Sequence, residues 1–573
     1  MRYVIVGGVA AGVTAATRLR RLDETADIVL LERGDKISFA NCALPYYAGG
    51  IVRFERLYAA DAATISEQYA IDIRERHEAL SIDRARKTLS VRNLATNETY
   101  ELSYDKLILA TGAEPVFPDI EGLRENARAL WRVEDALALE KALSEKPDLT
   151  ALVLGGGSVG LEAAENIVRR GGTAHLVTRG ATLLGKNDPA LSRLFVRFAQ
   201  GKEKRLLWHF GATAAKVERL PDGKLRVALT NGETLEVDYL LCAAGVRPRS
   251  ELAAEAGLEL GPRDTVRTDL HTLTSDPDIL AAGDVAASLD PETLEPRPLM
   301  LAASAVRSGR KAADTASGRV PKSELQPPFG THVVSLFGTV WASTGKNVGE
   351  LLACGKRPRR DFDAVTVIAR NHVGWYPGSS PVVLKMVFAK DGKLLGAQAI
   401  GREGADKCID VLSTAMLFGA NVRDLTKLDL CYSPQTGSAK APIHAAAFVA
   451  ENVLNGLVRF IEPGEVADLF AGRNPDLGDD VPNAPDRACI LDVRSSEEIS
   501  DDALPLPCES IPLEELRDRL DELPTDGRTI VVVCRAGVRA YAAARILEQK
   551  GFKNVFVMTG GKQYWNWTMP KLG

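Results

Sequence analysis

Short apolar runs, each followed by a glycine turn and an amphipathic stretch, recur along the chain. The first run covers residues 3–6, and a helix to about residue 21 and a strand at 28–31 follow it. The same order returns with a strand at 151–154, a helix to residue 170 and a strand at 173–177. A strand, a crossover helix and a parallel strand form a βαβ unit. The pattern therefore predicts two dinucleotide-binding units about 150 residues apart.

The pattern changes between residues 330 and 450, where several strands precede the helices instead of alternating with them. The predicted elements are strands at 333–337, 364–369, 382–389 and 394–400, and helices at 406–418 and 443–455. After a short break at Gly456, a last unit combines strands 488–491, 529–533 and 554–557 with a helix at 539–549 that Gly551 ends. This alternation predicts a small parallel α/β domain, with a polar, Pro/Gly/Asp-rich loop at 471–487.

Length and composition narrow the class of protein. With 573 residues, the chain is expected to form about four domains. Its net charge of −5 gives no electrostatic support for a nucleic-acid partner, and no apolar run approaches the roughly 18 residues of a membrane span. The eight cysteines make no CxxC pair and no zinc spacing, so we expect no metal site and a reducing, cytoplasmic compartment.

The first glycine turn carries the features of a dinucleotide site. Gly7 permits a tight turn, Gly8 follows it, and Gly12 permits close packing of the helix on the strand. The usual middle glycine is replaced by Val9. Glu32 ends the second strand, where a carboxylate can accept a hydrogen bond from a ribose hydroxyl.

The second turn has the fuller glycine fingerprint, with Gly155, Gly157 and Gly160. The acidic residue is missing here, and Arg179 follows the next strand instead. An arginine at this place can meet a 2′-phosphate, which favours NADPH or tolerance of both nicotinamides. The alternative interpretation is that Arg179 is a solvated residue at the strand end.

Further motifs resemble the pyridine nucleotide–disulfide oxidoreductases over residues 1 to about 450. They are the segments YDKLILATGAEP at 104–115, ILAAGD at 279–284 and GVRP at 245–248. The resemblance implies hydride transfer from NAD(P)H to FAD, with Asp284 reaching the ribityl chain of the flavin. The other cofactor-binding residues it implies are Arg33, Thr111, Gly112, Gly245 and Ala302.

Cys42 lies in the frame SFANCALPYY at residues 38–47. With one cysteine in the frame, Cys42 must cycle as a thiolate, a sulfenic acid or a mixed disulfide with a small thiol. The frame resembles the single-cysteine branch of the family, which contains NADH oxidases, NADH peroxidases and coenzyme A-disulfide reductases. Oxidase and peroxidase members carry a histidine where this chain has Ala10, so peroxide cleavage would lack its proton source.

The coenzyme A branch matches better. Arg18 and Arg21 lie three apart on one helix face, where both could meet phosphates; the alternative is a solvated basic face. The segments WYPG at 375–378 and YSPQTGSAK at 432–440 resemble loops that complete the site of a dimer partner in this branch. The resemblance implies a homodimer with shared active sites and these substrate-binding residues: Thr14, Arg18, Arg21, Ser38, Asn41, Tyr376, Tyr432 and Lys440.

Cys534 opens the loop CRAGVR, which ends at Arg539. The backbone N–H groups of so tight a loop, with the following helix N-terminus, can hold a thiolate or persulfide. The loop resembles that of rhodaneses, as do LDVR at 491–494, IPL at 511–513 and GGKQYW at 560–565. The His-x-Pro-Gly-Ala that rhodaneses usually carry before Ile511 is absent.

Together these features predict an α/β fold with two Rossmann-like domains, an α+β dimerisation domain and a C-terminal rhodanese α/β domain. The expected limits are 1–115 with 246–325 for FAD, 116–245 for NAD(P)H, 326–455 for dimerisation and 458–573 for rhodanese. The predicted function is NAD(P)H-dependent reduction of persulfides, polysulfides and coenzyme A disulfide or persulfide. Cys42 is the predicted redox thiol, Cys534 and Arg539 are the rhodanese residues, and coenzyme A is a substrate or a tightly bound group. The alternatives are a sulfurtransferase with a redox-sensing flavin half and an NAD(P)H oxidase.

Overall fold

The computed structural model describes residues 1–185, 187–201, 203–319, 326–478, 481 and 488–570. The chain forms two compact units, Met1–Ala181 with Glu203–Gly330 and Thr182–Lys202 with Thr331–Gly573. Of the polar loop predicted at 471–487, residues 479, 480 and 482–487 lie outside the described residues. Within the described part of the chain, every helix is too short or too polar to cross a membrane.

The first unit begins with the predicted βαβ pattern and continues into smaller strands. Its elements up to residue 115 are β1 (Arg2–Val6), α1 (Ala10–Leu22), β2 (Asp27–Glu32), α2 (Leu44–Ala48), α3 (Ala62–Tyr69), β3 (Asp72–Glu75), β4 (His77–Asp83), β5 (Thr88–Asn93), β6 (Thr99–Ser103), β7 (Lys106–Leu109) and β8 (Ala113–Pro115). A 3₁₀ turn at Asn41–Ala43 precedes α2.

The second βαβ pattern follows. The elements here are α4 (Leu123–Asn126), α5 (Val133–Glu145), β9 (Thr150–Leu154), α6 (Ser158–Arg169), β10 (Thr173–Thr178), α7 (Pro189–Gln200), β11 (Leu206–Phe210), β12 (Ala214–Arg219), β13 (Leu225–Leu229), β14 (Thr234–Val237) and β15 (Tyr239–Cys242). Helix α7 belongs to the second unit. The chain then returns to the first unit with β16 (Val246–Pro248), α8 (Glu251–Glu255), β17 (Ile279–Ala281), β18 (Ala287–Leu289), β19 (Pro296–Pro298) and α9 (Ala302–Ala316).

Two parallel sheets organise the first unit, in the orders β17-β7-β1-β2-β3 and β11-β10-β9-β15. Both predicted dinucleotide-binding units are therefore present. Helix α9 packs on α1, and Gly309 allows this approach because an added Cβ would lie 2.3 Å from the carbonyl oxygen of Ala11. The antiparallel sheets β4-β5-β6 and β12-β13-β14 were not predicted.

The second unit contains an antiparallel sheet with helices and then a parallel one. The first part consists of β20 (His332–Leu336), β21 (Thr339–Gly345), α10 (Val348–Ala353), β22 (Phe362–Arg370), β23 (Pro381–Ala389), β24 (Leu394–Gly401), α11 (Ala405–Leu417), α12 (Val422–Leu425) and α13 (Pro442–Leu454). Its strand order is β20-β21-β24-β23-β22. The predicted strand 333–337 ends one residue earlier because Phe337 has a φ of 48° and lies in the turn before β21.

The last part alternates strands and helices as predicted. Its elements are β25 (Phe460–Ile461), α14 (Pro463–Phe470), β26 (Ala488–Asp492), α15 (Ser496–Asp501), β27 (Glu509–Ser510), β28 (Thr529–Val533), α16 (Val538–Gln549), β29 (Val555–Met558) and α17 (Gly561–Thr568). The parallel order β25-β29-β28-β26-β27 places the Cys534 loop directly after the central strand β28, between β28 and α16.

Candidate active site

Cys42 lies in the 3₁₀ turn before α2, and it is exposed. The turn is tied to the first glycine loop because the Ser38 N–H donates to the Gly8 carbonyl at 2.8 Å. Ser38 itself has a φ of 56°, and Phe39 makes a β-bridge with Tyr58. This hydrogen bond ties the start of the segment that carries Cys42 to the turn that joins β1 to α1.

Two titratable residues that the sequence analysis did not select lie on the helices α2 and α6. Tyr46 is on α2 and Glu162 is on α6, and each influences the pKa of the other. Burial, followed by the nearby carboxylates, raises the pKa of Tyr46 to about 12. Burial raises the pKa of Glu162 to about 7. The sequence offered one indication for each residue. Tyr46 lies in the SFANCALPYY frame, and Glu162 comes two residues after Gly160.

The first glycine turn has the geometry of a pyrophosphate site. Gly7 has a φ of 110°, and an added Cβ would lie 2.1 Å from the Ala110 carbonyl oxygen. No side chain caps the N-terminus of α1 at Val9, and the first turn of α1 has no acidic residue. The first N–H groups of α1 are thus available to an anion. Glu32 accepts hydrogen bonds from the Gly8 N–H at 2.7 Å and the Gly34 N–H at 2.6 Å.

The second turn repeats this arrangement before α6. A Cβ added to Gly155 would lie 2.1 Å from the carbonyl oxygen of Ala243. A Cβ added to Gly160 would lie 2.0 Å from the carbonyl oxygen of Gly155. Gly157, at the helix N-terminus, has no atom within 4 Å of an added Cβ. That open space fits a bound dinucleotide. Arg179 follows β10 directly and is exposed.

The remaining predicted cofactor residues lie around the first sheet. Asp284 is in a 3₁₀ turn after β17, and burial raises the pKa of its carboxyl to about 6. A buried carboxyl of this kind fits a hydroxyl donor such as the ribityl chain. Gly112 and Gly245 have φ values of 70° and 122° and border open space. The other positions are as follows: Thr111 donates to the Arg249 carbonyl at 2.7 Å, Arg33 donates to Glu78 at 3.4 Å, and Ala302 begins α9.

The predicted substrate arginines of α1 have protein partners. Arg18 Nε donates to Asp314 Oδ1 on α9 at 2.7 Å. Arg21 Nε donates to the Thr17 carbonyl at 3.0 Å, and its guanidinium lies 5.9 Å from the centre of the Tyr69 ring. The Thr14 hydroxyl donates to the Ala10 carbonyl at 2.6 Å.

The predicted partner loops meet in the second unit. The Val373 N–H donates to the Gly437 carbonyl at 3.1 Å, which joins the loop of Tyr376 to that of Tyr432 and Lys440. Tyr376 packs edge-on against His372, with ring centres 5.6 Å apart. The Tyr432 side chain is 52% exposed.

The Cys534 loop forms a second, separate site. Cys534 is 2% exposed, and its Sγ accepts the Gly537 N–H at 3.1 Å. Arg539 donates to both oxygens of Glu498, at 2.6 Å and 2.8 Å. The Arg539 guanidinium lowers the pKa of Glu498 to about 2. The loop thus offers the sulfur a backbone N–H, that of Gly537, and carries an arginine paired with Glu498.

Known protein families match both the N-terminal oxidoreductase part and the C-terminal rhodanese-like part of the chain. The family model of pyridine nucleotide-disulphide oxidoreductases matches residues 1–309, the model of their dimerisation domain matches 340–441, and the rhodanese-like domain matches 476–567. Coenzyme A disulfide reductase of Staphylococcus epidermidis is 31% identical over 456 residues, which cover 78% of this chain and 100% of that protein.

Two solved structures are similar over nearly the whole chain. Reduced Bacillus anthracis CoADR-RHD is 35% identical with a TM-score of 0.92, over 100% of this chain and 98% of that one. The NAD-dependent persulfide reductase from A. fulgidus is 32% identical with a TM-score of 0.86, over 99% of this chain and 100% of that one. The chain therefore belongs to the pyridine nucleotide-disulphide oxidoreductase family, and it is an FAD-dependent oxidoreductase related to coenzyme A disulfide reductases that carries a C-terminal rhodanese-like domain.

Proposed function

We propose that the protein uses NAD(P)H to reduce persulfides, polysulfides and coenzyme A disulfide or persulfide, releasing sulfide or thiol. The observation that carries this proposal is the exposed Cys42 thiol, in a segment that is hydrogen-bonded to the first glycine turn through Ser38, together with the Cys534 thiol that accepts a backbone N–H. The relation to coenzyme A disulfide reductase and to a persulfide reductase supports the substrate class.

In this proposal Cys42 is the nucleophile. Its thiolate attacks the sulfur–sulfur bond of the substrate, and one part of the substrate leaves while the other stays on Cys42 as a mixed disulfide. FAD, when bound, supplies the two-electron path from the nicotinamide to this mixed disulfide. Glu32 and Asp284 would hold the ribose and ribityl hydroxyls of FAD.

Coenzyme A would be recognised by side chains from both members of a homodimer. Thr14, Arg18 and Arg21 would line the phosphate end, and Ser38 and Asn41 lie next to Cys42. The exposed loops that carry Tyr376, Tyr432 and Lys440 would complete the site in the partner. The dimerisation domain of the family supports this assembly.

Cys534 would carry sulfane sulfur to or from coenzyme A. The Gly537 N–H already donates to Sγ, as a persulfide anion would require. Arg539 lies at the first turn of α16 and is paired with Glu498, so it would act in this site as one member of an ion pair.

The test is anaerobic oxidation of NADH and NADPH with coenzyme A persulfide, using wild type, Cys42→Ser and Cys534→Ser. We expect Cys42→Ser to abolish turnover and Cys534→Ser to retain turnover of small substrates. Nicotinamide oxidation that is independent of Cys42 would contradict the proposal. Oxygen uptake in the absence of any sulfur substrate would instead favour an NAD(P)H oxidase.

The cradle around Cys534 favours one second candidate, a rhodanese-type sulfurtransferase with a redox-sensing flavin half. This candidate predicts sulfur transfer to cyanide or thiols without NAD(P)H. It further predicts that transfer persists in Cys42→Ser and fails in Cys534→Ser, with no sulfide-producing nicotinamide oxidation in wild type.

A further inference from the structure

The first turn of helix α17 holds the backbone of the Cys534 loop. The Lys562 N–H donates to the Cys534 carbonyl at 2.9 Å. The Gln563 N–H donates to the Arg535 carbonyl at 3.0 Å. Gly561 permits this approach, because an added Cβ would lie 2.3 Å from the Cys534 carbonyl oxygen. The N–H groups that a helix leaves free in its first turn therefore fix the two peptide groups that follow Cys534.

The position of the loop decides what the sulfur of Cys534 meets. The Gly537 N–H donates to Sγ at 3.1 Å, and Cys534 is only 2% exposed, so water contributes little. A hydrogen bond weakens steeply when its angle departs from the preferred range. A shift of α17 would therefore move the loop and weaken the contact that a thiolate or persulfide sulfur makes with the backbone.

Two arginines from α7 hold the other end of α17. Arg197 Nη1 donates to the Asn566 carbonyl at 2.6 Å, and Arg193 Nε donates to the Thr568 carbonyl. The carbonyls of the last helical turn have no donor within a helix. The residue four positions after Asn566 is Pro570, which has no N–H to offer. The arginines supply these donors, and their charge suits the C-terminal end of the helix.

A ring contact joins the same two helices. Phe198 packs edge-on against Trp567, with ring centres 5.1 Å apart. Arg193 and Arg197 are four residues apart and so lie on one face of α7. Helix α17 has only eight residues, and so short a helix depends on tertiary contacts for its stability. Contacts with α7 at the last turn of α17 therefore help to set where its first turn lies.

Helix α7 is itself fixed to the antiparallel sheet of the second unit. Asn187 Oδ1, just before α7, accepts from Gln398 Nε2 at 2.7 Å and from Asn347 Nδ2 at 3.1 Å. Phe195 packs against Trp341 on β21, with ring centres 5.4 Å apart, and both side chains are buried. Because α7 is anchored in this way, it can serve as a rigid support for α17.

We propose that α7 positions the Cys534 loop through α17, and that Arg193 and Arg197 are positioning residues for sulfur transfer at Cys534. This inference rests on the function proposed above, in which Cys534 carries sulfane sulfur. The two arginines lie outside the rhodanese-like match at 476–567. The sulfur site is thus supported by a helix 369 and 375 residues away from its partners in the chain.

Thiosulfate and cyanide probe this site without a nicotinamide. The Cys534 thiolate attacks the outer sulfur of thiosulfate, the sulfur–sulfur bond breaks, and sulfite leaves as a Cys534 persulfide forms. Cyanide then attacks the outer sulfur of the persulfide, which gives thiocyanate and returns the thiolate. The sum is balanced, since thiosulfate and cyanide become sulfite and thiocyanate with no other oxidant or reductant.

The full-length holoprotein with Arg193→Met and Arg197→Met together is the test variant. Its kcat for thiocyanate formation is expected to fall about 10-fold, a factor within the usual strength of hydrogen bonds from charged donors. The matching double lysine variant keeps a cationic donor for each carbonyl and should stay within about 3-fold of wild type. Arg519→Met removes an arginine paired with Glu515 and Glu522 in the rhodanese-like part, and this control should keep the wild-type rate.

The pH profile of alkylation separates positioning from a general loss of stability. Iodoacetamide modifies the thiolate, and mass spectrometry follows the peptide that carries Cys534. With a weaker bond from the Gly537 N–H, the profile of the double methionine variant should move to higher pH by about one pH unit. The double lysine variant and Arg519→Met should keep the wild-type profile. Thermal unfolding identifies folded samples, and Arg197→Met alone provides the test if the double variant does not fold.

Unchanged thiocyanate formation in the double methionine variant would overturn the inference, and so would an equal loss in Arg519→Met. Slower transfer with an unmoved alkylation profile would also overturn it, because the arginines would then support the fold without positioning the loop. Failure of the proposed function has a different signature. In that case wild type forms no more thiocyanate than Cys534→Ser, while the alkylation profile still moves in the double methionine variant.

Discussion

Two of the predicted site arginines, Arg18 and Arg539, are each paired with a carboxylate. Arg18 donates to Asp314, and Arg539 donates to both oxygens of Glu498. A bound anion must therefore share or displace a carboxylate, which lowers the affinity that either arginine would otherwise supply. Arg18 donates to Asp314 through Nε, and its two terminal Nη nitrogens make no hydrogen bond to Asp314. Arg18 can therefore bind a phosphate through Nη and keep its contact with Asp314.

Arg179 leads to a prediction about the nicotinamide. Substituting Arg179→Glu should lower kcat/KM for NADPH by roughly 10- to 100-fold, because a hydrogen bond to a charged group is worth about 1.5–3 kcal/mol. The effect on NADH should be small. Steady-state kinetics with both coenzymes check this, with Arg219→Glu on the exposed β12 hairpin as control. Equal losses for both coenzymes would show that Arg179 does not contact the 2′-phosphate.

Glu498 leads to a prediction about stability and pH. Its pKa is lowered from 4.5 to about 2 in the folded protein, so the pair stabilises the fold above about pH 4.5. That stabilisation is lost as the pH falls towards 2. With side chains 31% and 34% exposed, Glu498→Gln should cost about 1 kcal/mol near pH 7.

Thermal unfolding of wild type and Glu498→Gln across pH measures this difference. The difference in Tm between wild type and Glu498→Gln should be largest near neutral pH and should become smaller below about pH 4. Glu497→Gln, at the exposed neighbouring position, should show no such gap. A gap that stays constant with pH would contradict the assignment.

At the scale of elements, a buried ion cluster joins three segments of the second unit. Lys385 on β23 is 3% exposed, and its Nζ donates to Asp188 Oδ2 at 2.5 Å and Glu462 Oε1 at 3.2 Å. Asp188 caps α7, and Glu462 caps α14. Despite the opposing effect of burial, the Lys385 ammonium lowers the pKa of Asp188. One lysine therefore bridges the residues that cap α7 and α14.

Removing that lysine should destabilise the protein strongly. Lys385→Met leaves the buried Asp188 carboxyl and the partly exposed Glu462 carboxyl without their cation, and breaking a buried ion pair such as that with Asp188 typically costs about 3–5 kcal/mol. Lys390→Met, just after the same strand, removes the more exposed pair with Asp363 and should cost below about 1 kcal/mol. Chemical unfolding of both variants makes the comparison, and similar losses would show that the buried cluster adds little.

At the scale of the whole molecule, the dimerisation domain exposes large apolar side chains. Phe418 is 80% exposed, Trp375 is 74% exposed and Leu352 is 51% exposed. Exposed apolar side chains of this size favour burial against another chain. This surface fits the homodimer that the family's dimerisation domain suggests.

The dimer gives a prediction with a matched control. Sedimentation should give twice the 61.7 kDa mass of one chain. Phe418→Glu should shift the equilibrium to monomer and lower NAD(P)H oxidation, because the partner would no longer supply its loops. Val538→Glu, at an equally exposed position (82%) in the rhodanese-like part, should remain dimeric. A wild-type monomer with full activity would refute shared active sites.

The architecture could be predicted largely from local pattern. The glycine turns of both βαβ units were evident because tight turns and close helix packing need residues without a Cβ, as at Gly7 and Gly155. Four of the five strands and the two long helices of residues 330–455, and the alternation of the last unit, follow from apolar periodicity, whereas β21 and the short helices α10 and α12 were not predicted. The small antiparallel sheets β4-β5-β6 and β12-β13-β14 were missed because few residues of strands such as β4, β6 and β12 are fully buried, so their apolar alternation is weak.

The sequence by itself determined the two nucleotide turns, the single-cysteine frame of Cys42 and the cradle loop of Cys534, since each depends on residues adjacent in the chain. Only the tertiary structure decided which side chains face each other. Arg18 and Asp314 are 296 residues apart, and Lys385 and Asp188 are 197 apart. Such pairs are set by packing between distant segments, and local periodicity carries no information about them.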